Sequence, residues 1–275
     1  MTASLTLYLC RFRPKARRDM NMISRRFTFA WILFFALLLF NRCKQDVPAG
    51  ILPEGYISIT FDDNSVDNWY TYLPLLDSLG IKATFYICKY HVLTADQKAK
   101  LHAIRNDGHE IAYHTTNHPD LAKLLVKKGM DYVIAEEIES DLTLMRADGF
   151  TVTNFAYPYG SHTVELDNKL MQYFHSVRVL ANKSNYYKCL ALQACKKQLL
   201  YGPDIDDNKG SPPDDGVIRR ILNMAGEKHA CAVFTAHQIN NPGYKYSISA
   251  DRLRAIAAMA DEYHLKFIPV HQITD

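Results

Sequence analysis

The feature that most constrains this fold is a regular alternation of strand-like and helix-like segments that begins at Tyr56. Short runs rich in β-branched and aromatic residues predict strands, at 56–61, 82–88, 109–113, 152–156, 176–181, 230–236 and 266–270. Amphipathic runs with capping signals predict helices, at 74–79, 95–106, 130–148, 163–173, 216–226 and 250–263. This alternation predicts an α/β domain with a parallel sheet, open or closed, because periodicity does not determine closure.

Two neighbouring carboxylates end the first of these strands, Tyr56–Asp63, which reads YISITFDD. Adjacent strand residues point to opposite sides, so Asp62 and Asp63 can take different roles within one site. The alternative is a polar turn that caps the next element. The strand end alone does not decide between a site and a turn.

Two histidines follow the end of another short apolar strand. The run His109–His114 (HEIAYH) ends on one imidazole, and His118 provides a second one four residues later. Side chains at i and i+4 lie on one face of a helical turn, so both rings can converge on one cation. Together with the strand that ends in two aspartates, this spacing predicts a site for one divalent metal ion.

Four motifs occur in a fixed order, TFDD at 60–63, HEIAYHTTNH at 109–118, FAYPYG at 155–160 and FTAH at 234–237. They resemble the motif series of polysaccharide deacetylases of the NodB-homology type (carbohydrate esterase family 4), and the first two are the more specific. The resemblance runs from about Gly55 to the C-terminus. It implies one catalytic domain, 55–275, folded as a distorted (β/α) barrel of about seven parallel strands, with functional groups at the strand C-terminal ends.

The resemblance also implies roles for the first two motifs. By similarity, Asp63, His114 and His118 are metal ligands, and Asp62 is the general base that takes a proton from the attacking water. One carboxylate and two imidazoles suit Zn²⁺ best, with Co²⁺, Ni²⁺ or Fe²⁺ as substitutes. A metal of this kind activates water and polarises an acetyl carbonyl.

The last two motifs are expected to hold the remaining catalytic groups. His237 ends the apolar strand Cys231–Ala236 in the position of the family's general acid, and amide cleavage needs a proton donor for the departing amine. The alternative for His237 is a surface histidine at a strand end. Tyr159 matches the tyrosine whose backbone N–H helps to hold the oxyanion. Tyr157 is a second candidate beside the substrate, or a residue of the turn or wall.

Two departures from the family pattern bear on activity. Ala156 stands where the family usually carries an arginine that orients the base, which leaves Asp62 without an evident cationic partner besides the metal. The family's acid-tuning aspartate is expected at Asp204 or Asp206, in GPDIDDN, without an accompanying tryptophan. Either carboxylate pairs with His237, or both belong to an acidic loop. These departures predict altered or reduced activity at an intact metal site.

The first 43 residues predict an export leader. Phe27–Phe40 is an uncharged apolar run after Arg25-Arg26; it is shorter than a bilayer span of about 20 residues but suits a secretory signal core. Met20 or Met22 would be a more typical start for such a leader. Cys43 lies where a bacterial lipoprotein carries its lipid, and 44–54 is a tether. The expected location is the periplasm or cell envelope, with a lipid anchor at Cys43, plain cleavage or an uncleaved anchor as alternatives.

Charge is distributed unevenly along the chain. Residues 1–43 hold eight Arg and Lys against one acid, so this segment carries +7 and the rest of a chain of net charge +3 carries −4. No basic patch indicates nucleic-acid binding. Membrane association is predicted only through the leader or its anchor, and the sequence does not indicate an oligomeric state.

Residues 182–214 interrupt the alternation and predict an insertion beside the active-site face. They contain Cys189 and Cys195, and the run ALQACKKQLL looks helical. Within one helix these cysteines would lie about 9 Å apart, which is too far for a disulfide, so their pairing stays open. Cys88 and Cys231 occur in apolar strands and are predicted to be buried and unpaired.

Together these features predict a metal-dependent hydrolase that removes N-acetyl groups from a glycan. Candidate substrates are poly-N-acetylglucosamine, chitin oligomers and peptidoglycan. A first alternative is an O-acetyl polysaccharide esterase that uses the same site. A second is a catalytically impaired glycan-binding homologue, which the missing arginine favours and the presence of Asp62 and His237 opposes.

Overall fold

The structure, a computed structural model, describes residue 52, residues 54–192, residue 196, and residues 198–207 and 212–274. All of them belong to the compact unit Val47–Asp275. The predicted leader, Cys43 and most of the tether lie outside the described residues, so the expectations about export and lipidation stay predictions. Within the described residues, no helix has the length and apolar character needed to cross a bilayer.

Strands recur along the described chain at the positions that the alternation predicts, with four additional ones. They are β1 Tyr56–Asp63, β2 Thr84–Ile87, β3 Glu110–Tyr113, β4 Asn154–Ala156, β5 Ser176–Ala181, β6 Leu190–Ala191, β7 Gln198–Pro203, β8 Cys231–Ala236, β9 Gln238–Ile239, β10 Ser247–Ile248 and β11 Lys266–Phe267. Every predicted strand overlaps an observed one, so the period-2 patterns located seven of these eleven strands.

The strands form a nearly closed barrel. Seven of them are parallel neighbours in the order β8-β1-β2-β3-β4-β5-β7, while β11 pairs with β1 and β6 runs antiparallel to β8. The two ends of this series meet at a single bridge between Asp204 and Thr235, where the Ile205 N–H donates to the Thr235 carbonyl at 2.8 Å. The predicted distorted (β/α) barrel of about seven parallel strands is confirmed.

The predicted insertion at 182–214 contains one of the barrel strands, so that prediction is wrong in part. β7 pairs with β5 from Ser176 opposite Gln198 to Ala181 opposite Pro203, and β6 lies in the run that looked helical. A short apolar run does not distinguish a buried strand from a helix by its period alone. Gly202 lets β7 approach β8, because a Cβ there would come within 2.4 Å of Thr235 Oγ1.

Most of the helices connect the strands and pack on the outside of the barrel. They are α1 Val66–Thr71, α2 Leu73–Ser78, α3 Ala95–Asn106, α4 Leu121–Lys128, α5 Met130–Tyr132, α6 Ser140–Ala147, α7 Val164–Leu170, α8 Asp215–Lys228, α9 Ala250–Glu262 and α10 His271–Thr274. The capping box predicted before α3 is present, with Gln97 N–H donating to Thr94 Oγ1 at 3.2 Å and Thr94 N–H donating to Gln97 Oε1 at 3.1 Å.

Two helical features differ from the sequence prediction. α1, α4 and α10 were not predicted, and the single helix predicted at 130–148 is three consecutive segments. Between α5 and α6 the chain forms a π-helix, Val133–Glu139. Because π-helical turns are frequent at functional sites, this segment is a candidate part of the site.

β1 shows how the strands orient the candidate site. Ile57, Ile59 and Phe61 pack into the main apolar core together with residues of the surrounding helices. The alternate residues, which include Thr60 and Asp62, are also buried and face the barrel interior. Period-2 alternation therefore places Asp62 inside the barrel at the C-terminal end of β1.

Candidate active site

One cleft at the C-terminal ends of the strands collects most of the predicted site residues. Its volume is about 460 Å³, and the predicted residues that line it are Asp62, Asp63, His114, His118, Tyr157, Tyr159 and His237. Parallel strands present their carboxyl ends at one edge, so side chains far apart in the sequence meet there. Asp206 reaches this group through His237, whereas Asp204 does not line the cleft.

Asp63, His114 and His118 form a cluster that fits a metal ion. One ligand atom of each lies within 4.8 Å of the others, and His118 Nε2 is 3.2 Å from Asp63 Oδ1. His114 Nδ1 bonds to the Ala156 carbonyl at 2.8 Å, which orients its other nitrogen, Nε2, toward Asp63. A backbone partner of this kind typically fixes a metal-binding imidazole. The donor set therefore suits a divalent cation, and Zn²⁺ best.

The pKa values of this cluster favour the protonation states of metal ligands. Burial lowers the pKa of His114 to about 4, although Asp62 and Asp63 oppose the shift. Burial raises the pKa of Asp63, but the hydrogen bond with His118 and the charges of His114 and His237 outweigh it and leave the pKa far below its usual range. At neutral pH His114 is neutral and Asp63 is ionised, and both states leave lone pairs free for a cation.

The two histidines converge without the helical turn that their spacing predicted. Residues 114–118 form an irregular loop in which Thr115 (φ 74°) and His118 (φ 62°) are left-handed. Thr115 Oγ1 accepts the His118 N–H at 2.9 Å, and the rings of His114 and His118 lie 4.9 Å apart between centroids. Such strain in non-glycine residues persists only where the surroundings enforce it, as at binding sites.

The π-helix holds this strained loop in place through hydrogen bonds. Glu137, which is buried, accepts the Asn117 N–H at 2.8 Å and the Asn117 side-chain amide at 3.0 Å. The Thr116 N–H and the Tyr113 hydroxyl both donate to the Glu137 carbonyl. The widened helical turn thus offers side chain and backbone to the loop at once. Nothing in the sequence around Glu137 marked this contact.

Asp62 has a cationic partner that the sequence prediction missed. Arg178, on β5 and fully buried, donates from Nη2 to both carboxylate oxygens of Asp62. The expectation that Ala156 leaves this carboxylate without a cation was therefore wrong. The available signal was the strand SVRVLA, because an arginine inside an apolar strand implies a buried anionic partner.

His237 is held by Asp206, which is one of the two predicted candidates. His237 Nδ1 lies 2.6 Å from Asp206 Oδ2, and the backbone N–H of His237 donates to Asp206 Oδ1 at 3.2 Å. Asp204 Oδ1 accepts the Asp206 N–H at 3.0 Å. Trp69 Nε1–H donates to the His237 carbonyl at 2.7 Å, so the tryptophan beside this group comes from α1. Its position in the chain, far from GPDIDDN, concealed it.

The Asp206–His237 pair is ionic at neutral pH. Burial lowers the pKa of His237, but its hydrogen bond with Asp206 and the charges of Asp62, Asp206 and Asp63 outweigh burial and raise the pKa to about 9. Burial raises the pKa of Asp206 to about 6 despite the opposing effect of His237. Because His237 Nδ1 faces Asp206, Nε2 is the nitrogen that remains for a group in the cleft.

Tyr157 and Tyr159 occupy different parts of the cleft wall. Tyr157 is buried, and its hydroxyl donates to Asp167 Oδ1 at 2.9 Å. Tyr159 is left-handed (φ 60°), and its ring is 65% exposed at the rim with its centroid 4.8 Å from that of His118. Tyr157 is thus a wall residue, whereas Tyr159 brings both an aromatic surface and strained backbone to the opening.

The cysteine predictions have a partial outcome. Cys88, directly after β2, and Cys231, on β8, are buried and free, as predicted. Cys189 is buried beside β6, but Cys195 lies outside the described residues, so a bridge between them stays untested.

The fold and this cleft define the chain as a (β/α)-barrel protein with a candidate metal-assisted hydrolase site. A sequence model described as polysaccharide deacetylase matches residues 49–175. This match confirms the resemblance to polysaccharide deacetylases that the motifs showed.

Similar proteins agree with this family. A curated relative from Arthroderma benhamiae, named "Probable peptidoglycan-N-acetylglucosamine deacetylase", is 30% identical over 112 residues. The match covers 40% of this chain but only 25% of that protein, so the chain spans about a quarter of the relative's length.

Two solved structures share the fold. The catalytic domain of a peptidoglycan N-acetylglucosamine deacetylase from Eubacterium rectale has a TM-score of 0.50 at 16% identity, covering 84% of this chain and 95% of that one. A polysaccharide deacetylase from Bacillus cereus has a TM-score of 0.52 at 18% identity, with coverages of 80% and 94%. At such identities the likeness establishes the barrel and nothing finer.

Proposed function

We propose that this chain is a metal-dependent deacetylase that hydrolyses N-acetyl groups of a glycan. One observation carries the proposal. A carboxylate–imidazole cluster, a second buried carboxylate and a histidine paired with an aspartate all converge on one cleft. Metal-assisted hydrolysis of an acetamide uses three such groups: a Lewis acid site, a base and an acid.

Asp63, His114 and His118 would hold the metal, with Zn²⁺ preferred and Co²⁺, Ni²⁺ or Fe²⁺ as substitutes. A bound metal supplies Lewis-acid polarisation of the acetyl carbonyl and acidification of a water molecule. The backbone partner of His114 and the brace on the loop through Asn117 fix the geometry of this donor set.

Asp62 acts as the general base and takes a proton from the water that attacks the acetyl carbon. His237, protonated at neutral pH, then donates a proton from Nε2 to the nitrogen as the C–N bond breaks. The products are acetate and a free amine on the sugar. Tyr159 is assigned the oxyanion role through its backbone N–H, with Tyr157 as the wall of the acetyl pocket.

The proposed substrates are polymers of N-acetylated sugars. Peptidoglycan is the leading candidate because two of the similar proteins are named as peptidoglycan deacetylases. Poly-N-acetylglucosamine and chitin oligomers share the same acetamide. Export to the cell envelope, with Cys43 as a lipid site, would bring the protein to such polymers.

The alternatives are weighed by the same geometry. The case for an impaired binding protein was the missing arginine, and the contact between Arg178 and Asp62 removes that argument. An O-acetyl esterase would need no strong acid for its leaving group, because an alcohol departs more readily than an amine. The doubly bonded pair of His237 with the buried Asp206 therefore favours amide substrates.

The test is acetate release by metal-replenished protein from N-acetylated and O-acetylated glycans, with Asp62→Asn as the inactive control. We expect release from at least one N-acetylated polymer, and none from the control. Release from O-acetylated glycans alone would assign an esterase. Release from no glycan by metal-loaded, folded protein would overturn the proposal.

A further inference from the structure

The interior of the barrel contains a guanidinium in an unusual place. On β1 and β2, Asp62 is the register partner of Tyr86, and Tyr86 is the partner of Ala112 on β3. On β4 and β5, Ala156 is the partner of Arg178. Tyr86, Ala112 and Ala156 form one small buried cluster. Two alanines thus leave room in the strand layer where the arginine crosses toward Asp62.

The position of Arg178 is costly for stability. The residue is fully buried, its guanidinium lies 5.2 Å from the centroid of the Tyr86 ring, and one nitrogen makes both contacts to Asp62. Nε and Nη1 of Arg178 and the Tyr86 hydroxyl have no hydrogen-bond partner among the described residues. A buried ion pair is rarely a net gain over apolar residues of equal size, and unpaired buried donors add to its cost.

We propose that Arg178 is the positioning residue for Asp62 and performs from β5 the task of an arginine at position 156 on β4. Because Ala156 and Arg178 are opposite each other on adjacent parallel strands, guanidinium groups from either position can reach the same carboxylate. Nη2 contacts both oxygens and fixes the carboxylate plane relative to the cleft. This inference rests on the proposed role of Asp62 as general base.

The physical consequence is specific to the reaction geometry. Arg178 does not line the cleft, so it contacts Asp62 and not a bound glycan. Its loss should let the carboxylate rotate or shift, which lowers kcat while leaving glycan binding intact. A misplacement of about 1 Å costs about 10²-fold in rate.

The test transfers the arginine from position 178 on β5 to position 156 on β4. The variants are Arg178→Ala, Arg178→Met, Arg178→Lys, Ala156→Arg, and the double variant Ala156→Arg/Arg178→Ala. Measurements are kcat and KM for acetate release, metal content and melting temperature. We expect Arg178→Ala and Arg178→Met to lose about 10²-fold in kcat with little change in KM or metal content. The double variant should regain roughly tenfold or more over Arg178→Ala.

A matched control comes from the same strand face. Asn154, two residues before Ala156, is fully buried and bonds to Glu110 and Ser176 away from the cleft. Asn154→Ala should lower the melting temperature without lowering kcat. If Arg178→Met behaves like Asn154→Ala, with kcat retained, Arg178 is structural and the proposal fails. It also fails if the folded, metal-loaded double variant is no more active than Arg178→Ala.

Failure of the proposed function gives a different result. Wild-type protein that releases no acetate would refute the deacetylase, and the exchange of arginines is then read from thermal unfolding alone. Ala156→Arg should lower the melting temperature of wild type, because two guanidiniums compete for one space, but raise that of Arg178→Ala. If Ala156→Arg changes the melting temperature in the same direction in wild type and in Arg178→Ala, then position 156 cannot replace position 178 and the proposal fails.

Discussion

The two ends of this barrel are built differently from the same kinds of residue. At the N-terminal end, Glu110 accepts hydrogen bonds from Thr84 Oγ1, the Asn154 side-chain amide and the His271 N–H. Asn154 Oδ1 in turn accepts from Ser176 and Thr274. Helix α10 carries His271 and Thr274, so this helix caps the N-terminal end of the barrel.

The C-terminal end carries a concentration of strained backbone and unsatisfied groups, although left-handed residues (His229, His264) and unpaired atoms (Ser58 Oγ, His109 Nε2) also occur away from the cleft. Non-glycine residues with positive φ cluster around the cleft, namely Asp63, Lys89, Thr115, His118 and Tyr159. Beneath them are the unpaired donors of Arg178 and the unpaired hydroxyl of Tyr86. Left-handed non-glycine residues and unpaired buried groups each cost stability. The contrast assigns stability to one end and chemistry to the other, and the following predictions test that division.

The largest effect is expected from the two adjacent aspartates. Asp63→Asn should lose both metal and activity. Asp62→Asn should retain metal but lose about 10²–10⁴-fold in kcat, because only proton abstraction is removed. Metal analysis and acetate release on both purified variants measure this. Equal metal content with full activity in both would mean that these carboxylates are only a turn.

The next effect concerns His237 and depends on the leaving group. His237→Ala should cost about 10²–10⁴-fold on an N-acetyl glycan, since the amine must be protonated to depart. It should cost far less on an aryl acetate, whose phenolate leaves unaided, and an intermediate amount on a sugar O-acetyl ester. The comparison is kcat/KM on all three substrates at equal metal content. Equal losses would make His237 a residue that positions substrate.

The brace on the histidine loop should affect metal affinity more than folding. Glu137→Gln weakens the two contacts that hold Asn117, and the loss of such an outer partner typically costs about 10–100-fold in metal affinity. Competition with a chromophoric chelator gives the dissociation constant. Glu136→Gln, a neighbour on the exposed side of the π-helix, is the control and should bind metal like wild type. Identical metal affinities for Glu137→Gln and Glu136→Gln would show that the π-helix does not support the metal site.

A smaller effect is expected in the pH profile. The pKa of His237 is raised to about 9, so activity on an N-acetyl glycan should fall as pH rises through about 9. In Asp206→Asn the hydrogen bond and the charge of Asp206 are gone, while burial and the charges of Asp62 and Asp63 remain. The alkaline limb should then move to lower pH. An unchanged alkaline limb in Asp206→Asn would show that Asp206 does not raise the pKa of His237.

At the N-terminal end, a change should affect stability alone. Asn154→Ala removes one hydrogen-bond partner each from Glu110, Ser176 and Thr274 and should lower the free energy of unfolding by about 1–3 kcal/mol. Denaturant titration measures the loss, and kcat should stay at the wild-type value. A matching drop in kcat in the folded variant would contradict the division of the barrel into two ends.

The parts of this site that the sequence predicted are local. Asp62, Asp63 and His237 follow apolar strands directly, so period-2 patterns and strand ends located them without a structure. The convergence of His114 and His118 was also predicted, but for the wrong reason. Their loop is held by Glu137, about twenty residues away, through a π-helical turn that has no sequence signature.

The parts that sequence reasoning missed depend on strand register. Arg178 meets Asp62 only because β5 aligns it with Ala156, and no single-strand pattern contains that alignment. β7 was hidden for a similar reason, since its short apolar run is defined by pairing with β5 rather than by its own period. Non-local pairing decided both cases, and composition and periodicity do not encode it.

The most direct test of the central claim is a metal titration of metal-stripped protein during acetate release from an N-acetylated glycan. Zn²⁺ is added in small steps, and His114→Ala is titrated in parallel. We expect activity to rise in proportion to added metal and to level off at one equivalent, while His114→Ala stays inactive throughout. Full activity in stripped protein, or a rise in His114→Ala equal to that of wild type, would contradict a metal-dependent site at this end of the barrel.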